Sequence, residues 1–236
     1  MDEATKTRRL RTSEFNDKYF SGRVIDIGCG PDLVVPHAVP FDMEHGDAQW
    51  ILNYFQAETF DCVHSSHCLE HMRDVRAALS QWWALVKPTG YMIIVVPHED
   101  LYEQGAWPSL FNSDHKATFN LGTRNPNCSV SYDLSALVRD LPDVEIIDAH
   151  VQDEGLDYRL LRRVTRFERN LFVMASRRRS FFRRFIRHGI PLYRADLAFD
   201  RFERFLGKPI DQTLGDALAQ IQIIARKSRL RDDALG

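Results

Sequence analysis

The chain of 236 residues is long enough for one α/β domain that carries an insertion, and it can bury a core without disulfide bonds. Its apolar content of 44% and charged content of 27% are ordinary for a globular protein and exclude a disordered chain. No run approaches the roughly 20 apolar residues of a membrane span, and the charged first residues are unlike a signal peptide. The four cysteines form no Cys-x-x-Cys pair. We therefore expect a reducing, cytoplasmic location.

The net charge of −2 conceals an uneven distribution of charge. Residues 156–209 contain 15 Lys and Arg but 5 Asp and Glu, a net of +10, which leaves 16 basic and 28 acidic residues elsewhere. This basic segment could dock on the acidic remainder of the chain or on a second copy in a homo-oligomer. It could also meet an acidic partner such as a membrane surface, with its interleaved arginines and phenylalanines in an interfacial helix. Nucleic acid is the less favoured partner.

After a polar lead-in over residues 1–22, with a short amphipathic helix near Phe15 to Phe20, the hydrophobic pattern alternates between strands and helices. The first strand begins at Val24, and the later predicted strands cover residues 39–44, 60–66, 91–97, 144–151 and 219–227. Helices are predicted at 46–55, 67–86 and 131–141, with a break expected in the second near Arg73 and with Ser131 or Asp133 as the cap of the third. Residues 87–90 are predicted to form a turn.

This alternation predicts an α/β fold with a Rossmann-like, mostly parallel sheet and helices on both faces. We expect one domain over residues 1–236, with a basic helical insertion at 152–213 before the last strand. Residues 31–40 contain three prolines and are too short for a crossover helix, so a loop or a single helical turn should follow the first strand.

The stretch VIDIGCG, from Val24 to Gly30, reads as a buried parallel strand that ends in a tight turn. Gly28 and Gly30 lack Cβ atoms, so a ligand can approach the backbone closely. Asp26 lies inside the apolar run, where a carboxylate orders the turn or holds a ligand group. A dinucleotide is disfavoured because the third glycine of its fingerprint is missing and Asp32 would face the pyrophosphate.

The VIDIGCG stretch resembles the first motif of class I S-adenosylmethionine-dependent methyltransferases, and the resemblance continues in order to about residue 120. The segment SSHCLEHM, residues 65–72, resembles bacterial members that act on small molecules and polysaccharide sugars. The resemblance implies S-adenosylmethionine as cofactor, with Asp42 on the ribose hydroxyls, Asp47 and Ala48 at the adenine, and Ser66 and His67 at the methionine half. The full set of cofactor-binding residues expected is Asp26, Gly28, Gly30, Asp42, Asp47, Ala48, Ser66 and His67.

The aromatic-rich loop over residues 98–128 follows the most apolar strand, at the edge where open α/β sheets bind ligands. Residues 101–119 resemble a subgroup linked to surface-glycan genes, which implies O-methylation of a carbohydrate or glycan precursor in polysaccharide biosynthesis. A sugar hydroxyl benefits from a general base. His115, preceded by Asp114, is the first candidate, and His98 with Glu99 is the second. Asp114 and His115 could instead only brace the loop.

Other interpretations stay open. No metal is expected, but zinc on His67, Glu70 and His71 is possible on spacing, as is a divalent ion on Asp114, His115 and Glu99. A non-catalytic subunit with the same fold, or a binder of acidic surfaces through the Arg-rich segment, are the alternatives to an enzyme.

Overall fold

The computed structural model describes residues 3–165, 167–174 and 207–228. Its α-helices are α1 (Glu3–Arg8), α2 (Ser13–Tyr19), α3 (Val75–Ala84) and α4 (Leu134–Arg139). Its strands are β1 (Val24–Ile27), β2 (Val39–Phe41), β3 (Phe60–Ser66), β4 (Val86–Pro97), β5 (Thr118–Asn120), β6 (Ser131–Asp133), β7 (Val144–Gln152) and β8 (Gln220–Lys227). None of the helices among these residues is both long and apolar enough to cross a bilayer.

Six strands form the central sheet in the order β2-β1-β3-β4-β8-β7. The first four are mutually parallel, and β8 runs antiparallel to both of its neighbours. The carboxyl ends of β1, β2, β3 and β4 therefore meet at one edge, where ligands of open α/β sheets bind. This confirms the predicted α/β, mostly parallel architecture.

Both faces of the sheet are covered. On one face α3 and α4 pack through large apolar side chains such as Trp82, Trp83 and Leu137, which are at most 3% exposed. On the other face the strands pack against Tyr19 and Phe20 at the end of α2 and against the proline-rich segment between β1 and β2. That segment contains turns and bends but no helix, as its prolines predicted.

Several boundaries differ from the prediction. Residues 87–90 are not a free turn but part of β4, which begins at Val86 and shifts register against β3 through an irregularity at Phe60/Cys62. Residues 48–53 form 3-10 turns instead of an α-helix. The predicted helix 67–86 is broken as expected: a 3-10 turn at Leu69–His71 precedes α3, whose N-cap Asp74 accepts a hydrogen bond from Ala77 N. The helix expected from 131 begins at Leu134, capped by Asp133.

The loop after β4 is ordered by contacts within and beyond itself. A short parallel sheet of β5 and β6 connects to the end of β4 through a bridge between His98 and Phe119. Gln104 donates to Ile210 O and accepts from Arg162 N, so the loop packs against the start and end of the basic segment. The predicted insertion at 152–213 shows 3-10 turns and a helical stretch at 167–174 where it is described, and its arginine-rich centre lies outside the described residues.

Candidate active site

A cleft of about 730 Å³ opens at the carboxyl edge of the parallel strands. Its walls come from the segments that directly follow β1, β2 and β3, with Gly28, Asp42 and His67 as representatives. The 3-10 turn that begins at Ala48 closes one end. The cleft is therefore a consequence of the topology, because three parallel strands deliver their following residues to the same place.

The glycine turn after β1 forms the floor of the cleft. Gly28 has φ of +75°, and its N–H donates to Phe41 O at 2.7 Å. A Cβ at this position would lie 2.5 Å from the Cβ of Cys68, so only glycine fits. Gly30 also has a positive φ, +52°, but a Cβ there would meet nothing within 4 Å.

Three aspartates line the cleft, Asp42, Asp47 and Asp114, and the first two keep acceptor capacity. Asp42 accepts the N–H groups of Met43 and Gly30 at 2.6 and 2.7 Å, one on each oxygen. Asp47 accepts from Gln49 N at 3.0 Å and pairs with Arg73 at 2.5 Å. Because a carboxylate oxygen has two lone pairs, both side chains can still accept ligand donors such as ribose hydroxyls or an amino group.

Asp26 lies beneath the glycine turn and does not line the cleft. Its buried carboxylate accepts Val34 N at 2.7 Å and pairs with His64 Nδ1 at 2.6 Å. His64 Nε2 lies 3.1 Å from Nη2 of Arg11. An arginine can only donate, so this nitrogen of His64 accepts and the ring is neutral. Asp26 thus braces the loop that follows β1.

Burial shifts the pKa values of His64 and Arg11, which lie in a row with Asp26. Burial lowers the pKa of His64 and outweighs the Asp26 carboxylate, which acts in the opposite sense. Burial also lowers the pKa of Arg11 to about 10, which still leaves a guanidinium at neutral pH. The histidine is therefore held neutral between a carboxylate and a cation.

The residues after β3 turn the chain into the cleft. His67 has φ of +53°, and its Nε2 lies 2.9 Å from Gln220 Oε1 on β8. Ser66 is half-buried, and its Oγ has no hydrogen-bond partner among the described residues. His67 lines the cleft, as the sequence predicted for a cofactor contact, whereas Ser66 and Gly30 do not line it.

A second cavity, of about 270 Å³, adjoins the cleft and shares His67 and His71 with it. Its remaining lining is mostly polar and includes Tyr102 and His115 from the loop after β4 and Gln220 from β8. The cleft and this cavity therefore border each other at these two imidazole rings.

Glu70 is the most deeply buried charged group of this cavity, at 1% exposure. Its Oε1 lies 3.5 Å from His67 Nδ1 and 4.0 Å from Nε2 of both His71 and His115. Burial by itself would raise the pKa of Glu70, but the surrounding imidazoles outweigh it and hold that pKa below its ordinary value.

Carboxylates orient two of these imidazoles. His115 Nδ1 lies 2.7 Å from Glu103 Oε1, and both side chains are buried. His71 Nδ1 lies 2.9 Å from Asp114 Oδ2. The hydrogen bond from His71, helped by nearby Lys116, holds the pKa of the exposed Asp114 below its usual value. Asp114 thus orients His71, its neighbour in space, while His115 is oriented by Glu103.

His98 and Glu99, the second catalytic candidates, line neither cavity. Glu99 is buried and its two oxygens accept from Asn125 Nδ2 at 2.7 Å and Ser131 Oγ at 2.5 Å, which holds the loop to β6. The structure therefore does not bring Glu99 together with Asp114 and His115. Burial lowers the pKa of His98, whose Nδ1 accepts from Asp100 N.

The sequence interpretation missed two residues of this site. Glu103 lies in the recognised loop, but nothing in the local pattern predicts that it contacts His115, twelve positions further on. Gln220 comes from the last strand, 153 positions after its partner His67. Only the alternation of β8 could have indicated that Gln220 faces inward.

With this geometry established, comparison with known proteins identifies the class. The structure resembles a SAM-dependent methyltransferase from Archaeoglobus fulgidus, with 18% identity over 95% of this chain and 94% of that one and a TM-score of 0.50. A possible histamine N-methyltransferase from Thermotoga maritima gives 15% identity, 96% and 88% coverage and a TM-score of 0.48. An N-methyltransferase of Haemonchus contortus, solved with S-adenosylhomocysteine, gives 14%, 95% and 52% coverage and 0.44. At these identities the likeness shows the fold alone.

The sequence profile of the family described as "Methyltransferase domain" matches residues 4–132, more than half of the chain. No curated protein matches the sequence. The chain belongs to the methyltransferase-domain family. This membership agrees with the class I, S-adenosylmethionine-dependent methyltransferase that the sequence motifs predicted.

Proposed function

We propose that this methyltransferase acts on a hydroxyl oxygen of a carbohydrate or glycan precursor. The observation that carries the proposal is the second cavity, which meets the cleft at His67 and His71. A small acceptor in that cavity lies beside a donor in the cleft, the arrangement that an in-line displacement requires.

The cleft fits the cofactor on its own chemistry. Gly28 lines the cleft without a side chain, so a ligand can approach its backbone, and Asp42 and Asp47 offer carboxylate oxygens for ribose hydroxyls and for an adenine amino group. Their negative charge suits a sulfonium, whereas it would oppose a phosphate. When bound, S-adenosylmethionine supplies a methyl group that is already activated by the positive sulfur.

The acceptor cavity fits one sugar ring. At about 270 Å³ it lies just below the range of about 300–1,000 Å³ typical of drug-sized ligands. Asn112 and Thr213 bring an amide and a hydroxyl group that can meet the hydroxyls of a sugar, whereas both N–H groups of Gln220 already donate to Thr7 and Gln152. Tyr102 adds a flat apolar ring, which stands 5.5 Å from the ring of His115.

His115 is the residue we assign to activation of the acceptor. An acceptor hydroxyl loses its proton as its oxygen forms the new bond to carbon, and an imidazole is suited to assist this near neutral pH. Glu103 fixes the ring through Nδ1 and leaves Nε2 directed at the cavity. Asp114 acts one step further away, by orienting His71.

We further propose a cytoplasmic enzyme of polysaccharide biosynthesis. The four cysteines are free thiols, as suits a reducing compartment. Contact of the basic segment with a membrane surface and assembly into a homo-oligomer remain predictions, since its arginine-rich centre lies outside the described residues.

The test is product analysis. The enzyme is incubated with S-adenosylmethionine and a panel of sugar nucleotides, amino sugars and lipid-linked sugars. Mass spectrometry should detect a product heavier by one CH₂ group, with fragmentation locating the methyl on a sugar oxygen. Reactions without the donor are the control. Products methylated only on nitrogen, with no carbohydrate methylated on oxygen, would contradict the proposal.

A further inference from the structure

Glu70 is a buried carboxylate, and no hydrogen bond compensates its burial. It is 1% exposed, and neither of its oxygens has a hydrogen-bond partner among the described residues, the nearest donor being His67 Nδ1 at 3.5 Å from Oε1. An ionised carboxylate is strongly disfavoured in such a place unless a cation or donors compensate it. Glu70 borders the acceptor cavity, so an occupant of the cavity could supply that compensation.

Two imidazole nitrogens face the same point as Glu70. Nε2 of His71 and Nε2 of His115 each lie 4.0 Å from Glu70 Oε1. One ligand atom from each of the three side chains falls within 4.8 Å of the others. Two of the residues are adjacent in sequence, and the third arrives from the loop after β4, so the tertiary fold creates the convergence.

The outer nitrogens of both rings are already engaged. His71 Nδ1 lies 2.9 Å from Asp114, and His115 Nδ1 lies 2.7 Å from Glu103. A neutral ring that donates from Nδ1 carries its lone pair on Nε2, which here points at Glu70. Metal-binding histidines commonly donate their second N–H to a carboxylate in this way.

We propose that Glu70, His71 and His115 bind one divalent transition-metal ion, with zinc or ferrous iron as the class of occupant. Two imidazoles and one carboxylate suit these ions, whereas magnesium and calcium prefer oxygen ligands. Ligands about 2.1 Å from an ion lie about 3.4 Å apart in a tetrahedral site and about 3 Å apart in an octahedral one, so modest side-chain rotation closes the observed spacing. Three protein ligands leave coordination positions open toward the cavity.

The ion has a specific consequence for the acceptor. Bound at this point, it would hold the acceptor oxygen and lower the pKa of its hydroxyl. His115 then acts as a ligand of the ion, and the hydroxyl proton passes to bulk water instead of to His115. This role rests on the proposed function, whereas the binding of the ion does not.

The test measures metal binding directly, without turnover. Full-length protein without a polyhistidine tag is stripped with a chelator and titrated with Zn²⁺ by calorimetry and with Co²⁺ by visible absorption. We expect one equivalent per chain. Glu70→Gln and His115→Gln should weaken binding at least about 100-fold, and Glu103→Gln by about 10- to 100-fold, as expected for loss of an outer carboxylate.

His150→Gln is the matched control, because His150 also pairs with an aspartate, Asp148 at 2.7 Å, but outside the cluster. It should leave binding unchanged. Should a cluster variant fail to fold, X-ray absorption of the zinc-loaded wild type should still show two imidazole ligands. No stoichiometric binding, unchanged affinity in folded cluster variants, or sulfur ligands at the zinc would each overturn the proposal. Such a result would leave His115 as general base and the proposed methylation unaffected.

Discussion

Acid should destabilise this protein through His64, which the fold holds neutral beneath the glycine turn. The ring donates to Asp26 at 2.6 Å, and its Nε2 faces the Arg11 guanidinium at 3.1 Å. A second proton on the ring would remove an acceptor from Arg11 and set two buried cations against each other. Burial lowers the pKa of His64 in the folded state, as the geometry also requires.

The sign and size of the change in the free energy of unfolding follow from proton linkage. Well above pH 6.5 the ring is neutral in both the folded and unfolded states, so this group causes no pH dependence there. Below that value the unfolded chain takes up a proton that the folded state refuses, and the free energy of unfolding falls. At pH 5.5, one unit below the unfolded pKa, the loss reaches about 1.4 kcal/mol, provided that the folded pKa lies well below 5.5.

The assay is urea denaturation at pH 7.5 and 5.5 for the wild type and for His64→Gln, which can still donate and accept but cannot titrate. Wild type should lose about 1.4 kcal/mol more than the variant. His98, whose pKa is also lowered by burial, contributes equally to both proteins and cancels. The neutral-ring assignment would be refuted if the stability of both proteins changed equally with pH. It would also be refuted if the wild type were more stable at pH 5.5 than at pH 7.5.

Three further substitutions, with Gly30→Ala as a control for the first, test the site. Gly28→Ala should weaken S-adenosylmethionine binding at least about tenfold, because the added Cβ would lie 2.5 Å from the Cβ of Cys68. The Cβ added in Gly30→Ala would have no atom within 4 Å, so this variant should lose only about 1–2 kcal/mol of stability, from its positive φ. Asp42→Ala should lower cofactor affinity in calorimetry while thermal unfolding stays cooperative. His115→Ala should reduce turnover by about 10²- to 10⁴-fold with cofactor affinity unchanged.

A different result would contradict each of these three predictions. Equal cofactor affinity in the two glycine variants would show that the turn does not form the floor of the cofactor site. Glu44→Ala, at an exposed neighbour of Asp42, is the control for nonspecific charge effects, and an equal loss in both variants would remove the ribose assignment. Wild-type turnover after His115→Ala would return His115 to a bracing role.

The sequence predicted the elements whose cause is local. Buried runs such as Val24–Ile27 predicted the strands, and three prolines excluded a long helix between β1 and β2. Asp133 was one of two predicted caps, because capping needs only a few adjacent residues. The turn predicted at 87–90 was wrong because pairing with β3 extends β4 through a sequence that is unfavourable for a strand.

The contacts of the site could not be predicted, since they depend on register and on distant segments. Asp26 meets His64 because β1 and β3 pair in a register that sets these two residues opposite each other. Nothing near Asp26 in sequence specifies that register. The same holds for Glu99, which the strand-end position suggested as catalytic but which binds Asn125 and Ser131 instead.

A crystal structure with S-adenosylhomocysteine tests most directly the claim that a donor cleft and an acceptor cavity meet at His67 and His71. The account predicts the ribose against Asp42, the adenine by Asp47, and the sulfur directed toward the cavity that holds His115. A nucleoside seated at another edge of the sheet, or a sulfur directed away from that cavity, would contradict it.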